Sequence, residues 1–280
     1  MTEATITTPE RSAPTPREVR LPPTPPVPRL IQGLGFTTSR KWTVAQIVRR
    51  CGDVFTLQLP VFGRTVIVAD PALAKELFMA NTEDVGNIQP NLSRVLGSGS
   101  VFALDGTDHR RRRRLLTPPF HGKSIRNYEA IFEEETLREA QNWPEGAPFE
   151  TLEPMMRITL NAILRAVFGA EGPELAAMRE LLPPAVLLAS RLTVLPPTLR
   201  RDLGRWSPWG RLERMRRECD ELIGTLIHRA RSAPDLDART DVLAMLVAAR
   251  DDSGQPIPDE YIIDELQTLL AAGHETTATT

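Results

Sequence analysis

The 280-residue chain lacks most of what would mark a secreted, membrane-embedded or nucleic-acid-coating protein. It has two cysteines, Cys51 and Cys219, too few for a disulfide framework and suited to a reducing compartment. No apolar run approaches the ~20 residues that a bilayer-spanning helix needs; the longest lies near Val242 to Ala249. Residues 1–20 contain no apolar stretch of the secretory-signal kind. Neither sign of charge prevails: 34 Lys+Arg against 36 Asp+Glu leave a net −2, so no global field draws the chain to nucleic acid or an anionic membrane. There is no internal repeat. These absences predict a cytoplasmic protein with no membrane span, and the length allows a substantial core in one or two domains.

What is present begins with proline. Eight of the 25 prolines fall in residues 1–30. Residues 1–28 are expected to form a disordered Pro-rich tail, whose last part, Leu21 to Pro28, favours extended polyproline. A helix is predicted near Trp42 to Arg50, then two β-prone segments, Val54–Leu59 and Thr65–Val68, as a hairpin. Asp70-Pro71 caps and opens a helix through Phe78. Asn81 to Ala103 reads as irregular. The remainder is helical in pattern: Asp108–Leu116, Ser124–Asn142, Phe149–Phe168, Pro173–Leu188, Gly210–Ser232, Thr240–Arg250 and Asp259 onward, with breaks expected at Pro183-Pro184 and Pro196-Pro197. The fold class is therefore mostly α with a small β-sheet.

Two segments could carry chemistry. In the last predicted helix, Ile262, Ile263, Leu266, Leu269 and Leu270 recur at helical spacing. The sequence then changes character to Ala272-Gly273-His274-Glu275-Thr276-Thr277. Buried hydroxyls and a carboxylate cost free energy unless bonded or used, and a mid-helix glycine costs about 1 kcal/mol against alanine. The second segment is Asp105-Gly106-Thr107-Asp108-His109 followed by Arg110 to Arg114. Gly106 and Asp108 suggest a turn and N-cap, placing His109 and Arg113 one turn apart on one helix face. An imidazole beside a guanidinium fork suits a carboxylate or phosphate held in place. A solvated basic face, or contact with nucleic acid, is the competing reading; no aromatics interleave with the arginines, which counts against the latter.

Together, these segments resemble the cytochrome P450 family of haem-thiolate monooxygenases, in particular its soluble bacterial-type members. The pattern D-G-x-x-H-x-x-x-R-x-L ending in P-x-F is met by Asp105, Gly106, His109, Arg113, Leu115, Pro118 and Phe120. The pattern (A/G)-G-x-(D/E)-T-(T/S) is met from Ala272 to Thr277. The resemblance implies a cytochrome P450 fold and a haem b cofactor whose propionates bind His109 and Arg113. Ala272 and Gly273 would let the helix lie on the distal face. Thr276 would hydrogen-bond bound dioxygen and relay protons supplied by Glu275. It also implies a small lipophilic substrate, and electrons from NAD(P)H through a ferredoxin- or flavodoxin-type partner with its reductase. Arg112 departs from the apolar residue common at its position, which suggests a more solvated flank.

The family's E-x-x-R segment and its thiolate loop, F-x-x-G-x-R-x-C-x-G, follow the threonine-bearing helix and have no match up to Thr280. Residues 29–280 are therefore expected to be the N-terminal part of one cytochrome P450 domain, incomplete and inactive alone, with the axial cysteine outside the chain. Glu135-x-x-Arg138 and Glu213-x-x-Arg216 read as surface helix pairs, and both cysteines as small structural residues. No metal site is expected: His274-Glu275 begins an H-E-x-x-H motif, but Ala278 stands where the second histidine would be. The arginines at 200, 201, 205 and 211 read as a solvated surface. The rival class is a non-catalytic helical module or a nucleic-acid binder working through the arginine run.

Overall fold

The computed structural model describes residues 20–59, 62–81, 84–86, 96–120, 122–169, 172–193, 201–251 and 253–280. Most of the expected Pro-rich tail, part of the Asn81–Ala103 loop, His121 and Pro196-Pro197 lie outside the described residues. The chain divides into two compact units, residues 1–79 and 80–280.

The first unit holds α1 (Arg29–Thr38), α2 (Arg40–Cys51), β1 (Val54–Leu59), β2 (Gly63–Val68) and α3 (Pro71–Met79). The strands pair antiparallel in the register Val54↔Val68 to Leu59↔Gly63, as the hairpin pattern predicts. Asp70 Oδ1 accepts from the Leu73 N–H at 2.9 Å, the cap expected before Pro71. Phe55, Leu57, Leu59 and Ile47 form the core, with Phe36, Val44, Val48 and Cys51 against them. Thr56 is buried, out of step with a plain alternation, because its backbone N–H and its hydroxyl donate to the carbonyls of Pro23 and Pro22, each at 2.8 Å. The proline segment thus lies beside β1. Helix α1 was not anticipated; its only buried side chain is that of Gln32, which donates to the Val27 carbonyl and accepts from the Gln58 N–H.

The second unit comprises α4 (Gly106–Leu116), α5 (Lys123–Ala140), α6 (Leu152–Phe168), α7 (Pro173–Thr193), α8 (Pro208–Arg231), α9 (Val242–Ala248) and α10 (Asp259–Ala278). Leu160, Leu164 and Phe168 of α6 share one core with Ile262, Leu266 and Leu270 of α10, Ile223 and Ile227 of α8, and Val242 and Leu246 of α9. With one two-stranded sheet among the described residues, the mostly α class holds. No helix among the described residues is long and apolar enough to cross a membrane.

Three sequence expectations are corrected. Helix α7 runs through Pro183-Pro184 rather than breaking there. Two missing N–H donors cost the helix free energy, but Leu175, Met178, Leu182 and Leu192 on the same helix are buried, and packing holds it. The cap of α4 is Asp105, whose Oδ1 accepts from the Gly106 N–H at 2.9 Å, and Asp108 lies inside the first turn. Glu135 is not a surface residue: it is 1% exposed and lies between Arg138 and Arg165, at 2.9 and 2.8 Å. Likewise, Arg216 pairs with Asp264 at 3.3 Å rather than standing in a surface pair with Glu213.

Candidate active site

Helix α10 carries the first motif and is seated on α6 at the motif itself. Thr159 donates to the His274 carbonyl at 3.0 Å, and its oxygen lies 3.4 Å from His274 Nδ1. One turn further along α6, Ile163 fills the space beside Gly273: an added Cβ there would lie 2.8 Å from Ile163 Cδ1. The glycine therefore lets two helices close on one another. His274 is 1% exposed, and burial lowers the pKa of its ring, with the Glu275 charge opposing. Its Nε2 is buried without a hydrogen-bond partner among the described residues.

Beyond this seat, Ala272, Glu275 and Thr276 line a cavity of about 410 Å³, with Leu160, Leu181, Val186 and Leu212 among its walls. The Thr276 hydroxyl donates to the Ala272 carbonyl one turn back. That bond fixes the side-chain rotamer and leaves the oxygen's lone pairs as acceptors. Glu275 is exposed, and no hydrogen bond joins it to the Thr276 hydroxyl among the described residues. The structure thus brings three of the six sequence-predicted site residues to one cavity.

His109 and Arg113 are not part of that wall. They stand one turn apart on α4, His109 half-buried and Arg113 exposed. Among the described residues, neither side chain has a hydrogen-bond or ion-pair partner. The link between the two motifs is a residue that the sequence suggested would be solvated. Arg112 is instead 12% exposed, with Nη1 3.5 Å from Glu265 Oε1 and 3.5 Å from the Tyr261 carbonyl. Its guanidinium sits 4.7 Å from the centre of the Tyr261 ring. Glu265 is 1% exposed. Burial pushes its carboxyl up to about 7, with Asp264 adding to the rise and the Val101 N–H and Arg112 opposing it. The arginine run is therefore not one solvated face, because its third member turns inward to α10.

Sequence reasoning missed Thr159, Arg112 and Glu265. The departure of Arg112 from an apolar position was one available signal. An acid in the apolar repeat of α10, between Ile262 and Leu266, was another.

The cytochrome P450 family model matches residues 21–280. The chain belongs to the cytochrome P450 family. Putative cytochrome P450 138 of Mycobacterium tuberculosis and of Mycobacterium bovis is 58% identical over 269 residues, covering 96% of this chain and 61% of the relative. Putative cytochrome P450 137 of Mycobacterium tuberculosis is 38% identical over 240 residues, covering 84% and 50%. Among solved structures, the retinoic acid-bound cyanobacterial CYP120A1 superposes with a TM-score of 0.75 at 22% identity, over 92% of this chain and 58% of that one. The cytochrome P450DA heme domain gives 0.71 at 21%, over 94% and 59%. These likenesses show the cytochrome P450 fold. The chain spans about three fifths of the length of the P450 138 relatives.

Membership implies haem as cofactor, and the donor chemistry here fits that group. Two cationic-capable donors on one face of α4, without an ion-pair partner among the described residues, suit a pair of carboxylates. Neither described thiol suits the iron. Cys219 is buried in the core with its thiol pushed up to about 12, the reverse of what a metal-bound thiolate needs. Cys51 packs in the core of the first unit.

Proposed function

We propose that this P450 chain is the part of a haem-dependent monooxygenase that holds the porphyrin edge and handles oxygen, in an enzyme that inserts one atom of dioxygen into a lipophilic organic substrate. The observation that carries this reading is the 410 Å³ apolar cavity whose wall includes Ala272, Glu275 and Thr276. An apolar-walled pocket with a hydroxyl and an acid on a single helical turn suits proton delivery to a bound group.

His109 and Arg113 would hold the haem propionates. Ala272 and Gly273 would form the stretch of α10 along the distal side, with Gly273 acting through its close seat on Ile163. When bound, haem would supply the electron transfer and oxygen activation. The protein's share is orientation and protons. Thr276, its own proton engaged by the Ala272 carbonyl, would accept at its lone pairs and pass a proton inward. Glu275, exposed at the cavity rim, would replace that proton from solvent. One oxygen atom would enter a C–H bond of the substrate, and the other would leave as water with two protons and two electrons. The electrons would come from NAD(P)H through a ferredoxin- or flavodoxin-type partner and its reductase.

In this reading residues 29–280 belong to one P450 domain in the cytoplasm. The axial cysteine comes from outside residues 1–280, and without it the chain alone is inactive. The apolar walls favour a lipophile, and a nucleic-acid role is not favoured. The test is spectral. The protein completed with the segment that carries the axial cysteine, loaded with haem and reduced under carbon monoxide, should show the red-shifted Soret band of thiolate ligation, and a band at the position typical of imidazole ligation would refute the assignment.

A further inference from the structure

We infer that Arg112 and Glu265 form a buried clasp that fixes the rotation of α4 against α10, making both of them positioning residues for the face that carries His109 and Arg113. The inference rests on the proposed haem role of that face. The apolar contribution to the bearing of α4 is small. Its sequence is GTDHRRRRRLL, so an apolar stripe exists only at its last two residues. Each residue turns the helix by about 100°, so fixing Arg112 places His109 and Arg113 roughly 60° and 100° around the axis to the same side. The clasp thus sets where both donors face.

Stability alone does not account for such a pair. Burying two charges costs several kcal/mol per ion, and an apolar pair of similar volume is often as stable or more so. This pair is also loosely made. The contacts of Arg112 to Glu265 and to the Tyr261 carbonyl are 3.5 Å long, and Glu265 Oε2 is buried without a hydrogen-bond partner among the described residues. What the charges add over an apolar pair is direction: the guanidinium is held at once by a carboxylate, a carbonyl and the face of Tyr261.

The clasp is complete only while Glu265 is ionised. The groups that bear on it are Arg112 from α4, the Val101 N–H from the preceding loop, and Asp264 on its own helix. Arg216 of α8 pairs with that aspartate at 3.3 Å, and Asp220 of α8 is bonded by Gln267; both act on Glu265 at second hand. With the carboxyl titrating about 7, the rotation of α4 is held more firmly at pH 8 than at pH 6.

The test uses the protein completed with the axial-cysteine segment and follows haem transfer from its loaded form to excess apomyoglobin at pH 6 and pH 8. Alongside it, amide hydrogen exchange of residues 109–116 is measured in the haem-free protein. Wild type should release haem about tenfold faster at pH 6, the scale typical of removing a group that orients a ligand. Glu265→Gln should release it equally fast at both pH values, at the acid rate of wild type. Arg112→Leu should do the same, and Arg112→Lys should restore part of the pH dependence. The α4 amides should exchange faster in Glu265→Gln than in wild type at pH 8. Overturning the inference takes a Glu265→Gln protein that keeps the wild-type ratio of rates. If no variant, wild type included, binds haem, it is the proposed function that fails. The exchange rates then decide the clasp alone, and equal rates in wild type and Glu265→Gln at pH 8 sink it.

Discussion

Replacing Glu265 by glutamine should change how the protein's stability responds to pH, by an amount that follows from its burial. The carboxyl is 1% exposed and is pushed from its ordinary 4.5 up to about 7, mainly by burial. A folded state that holds a proton more tightly than the unfolded chain gains stability from it. That gain is fully present below pH 4.5 and is lost as pH rises through 7. Between about 4.5 and 7, at about 1.4 kcal/mol per pH unit, the loss is roughly 3 kcal/mol. Glutamine keeps the shape and cannot titrate. Urea denaturation of both proteins at half-unit steps from pH 5 to 8.5 would give two stability curves. Their difference should move by roughly 2–3 kcal/mol in favour of glutamine over that range, levelling off above pH 8. Other titrating groups cancel in the difference. Arg112→Leu, which removes the opposing cation, should shift the Glu265 transition to higher pH. Parallel curves for wild type and Glu265→Gln would refute the reasoning, because they would mean that the carboxylate is ionised throughout and bears no cost of burial.

Other outcomes follow from the same geometry. Thr276→Ala should leave substrate binding nearly intact while electrons are consumed without matching product, read as the ratio of NAD(P)H oxidised to product formed; an unchanged ratio removes Thr276 from the relay. Arg113→Ala and His109→Ala should each weaken haem retention by about tenfold or more in a competition titration, whereas Arg110→Ala should not. Gly273→Ala should destabilise by about 1–2 kcal/mol in a thermal melt, because the clash with Ile163 outweighs the better helix propensity of alanine. Adding Ile163→Ala should recover part of that loss, and strict additivity would mean that the two side chains do not meet.

Apart from α1, the helices and the hairpin were legible, most of them from their apolar periods and from punctuation such as Asp70-Pro71 and the glycine after α6. Less visible was the effect of tertiary packing on local preference. Pro183-Pro184 reads as a break, and only the buried leucines and methionine around it show why α7 continues. The two motifs gave the identities of six site residues, but not their neighbours. Nothing in the spacing of Thr159 or Ile163 on α6 announces that they face the working turn, because a hydroxyl and a branched chain at helical spacing are ordinary core residues. Arg112 was misread for a related reason: five consecutive arginines look solvated as a group, and the one that turns inward is set by a carboxylate 153 positions away along the chain.

The seat formed by Thr159 and Ile163 bears on how the family's chemistry could drift over evolutionary time. Neither residue need touch a substrate, yet each dictates where the backbone of Gly273 and His274 rests. A methyl group gained or lost on α6 would displace that turn of α10 relative to whatever fills the cavity. Selection for a new product could therefore act on this supporting helix while leaving every wall residue unchanged, and a directed-evolution library confined to the pocket would miss it.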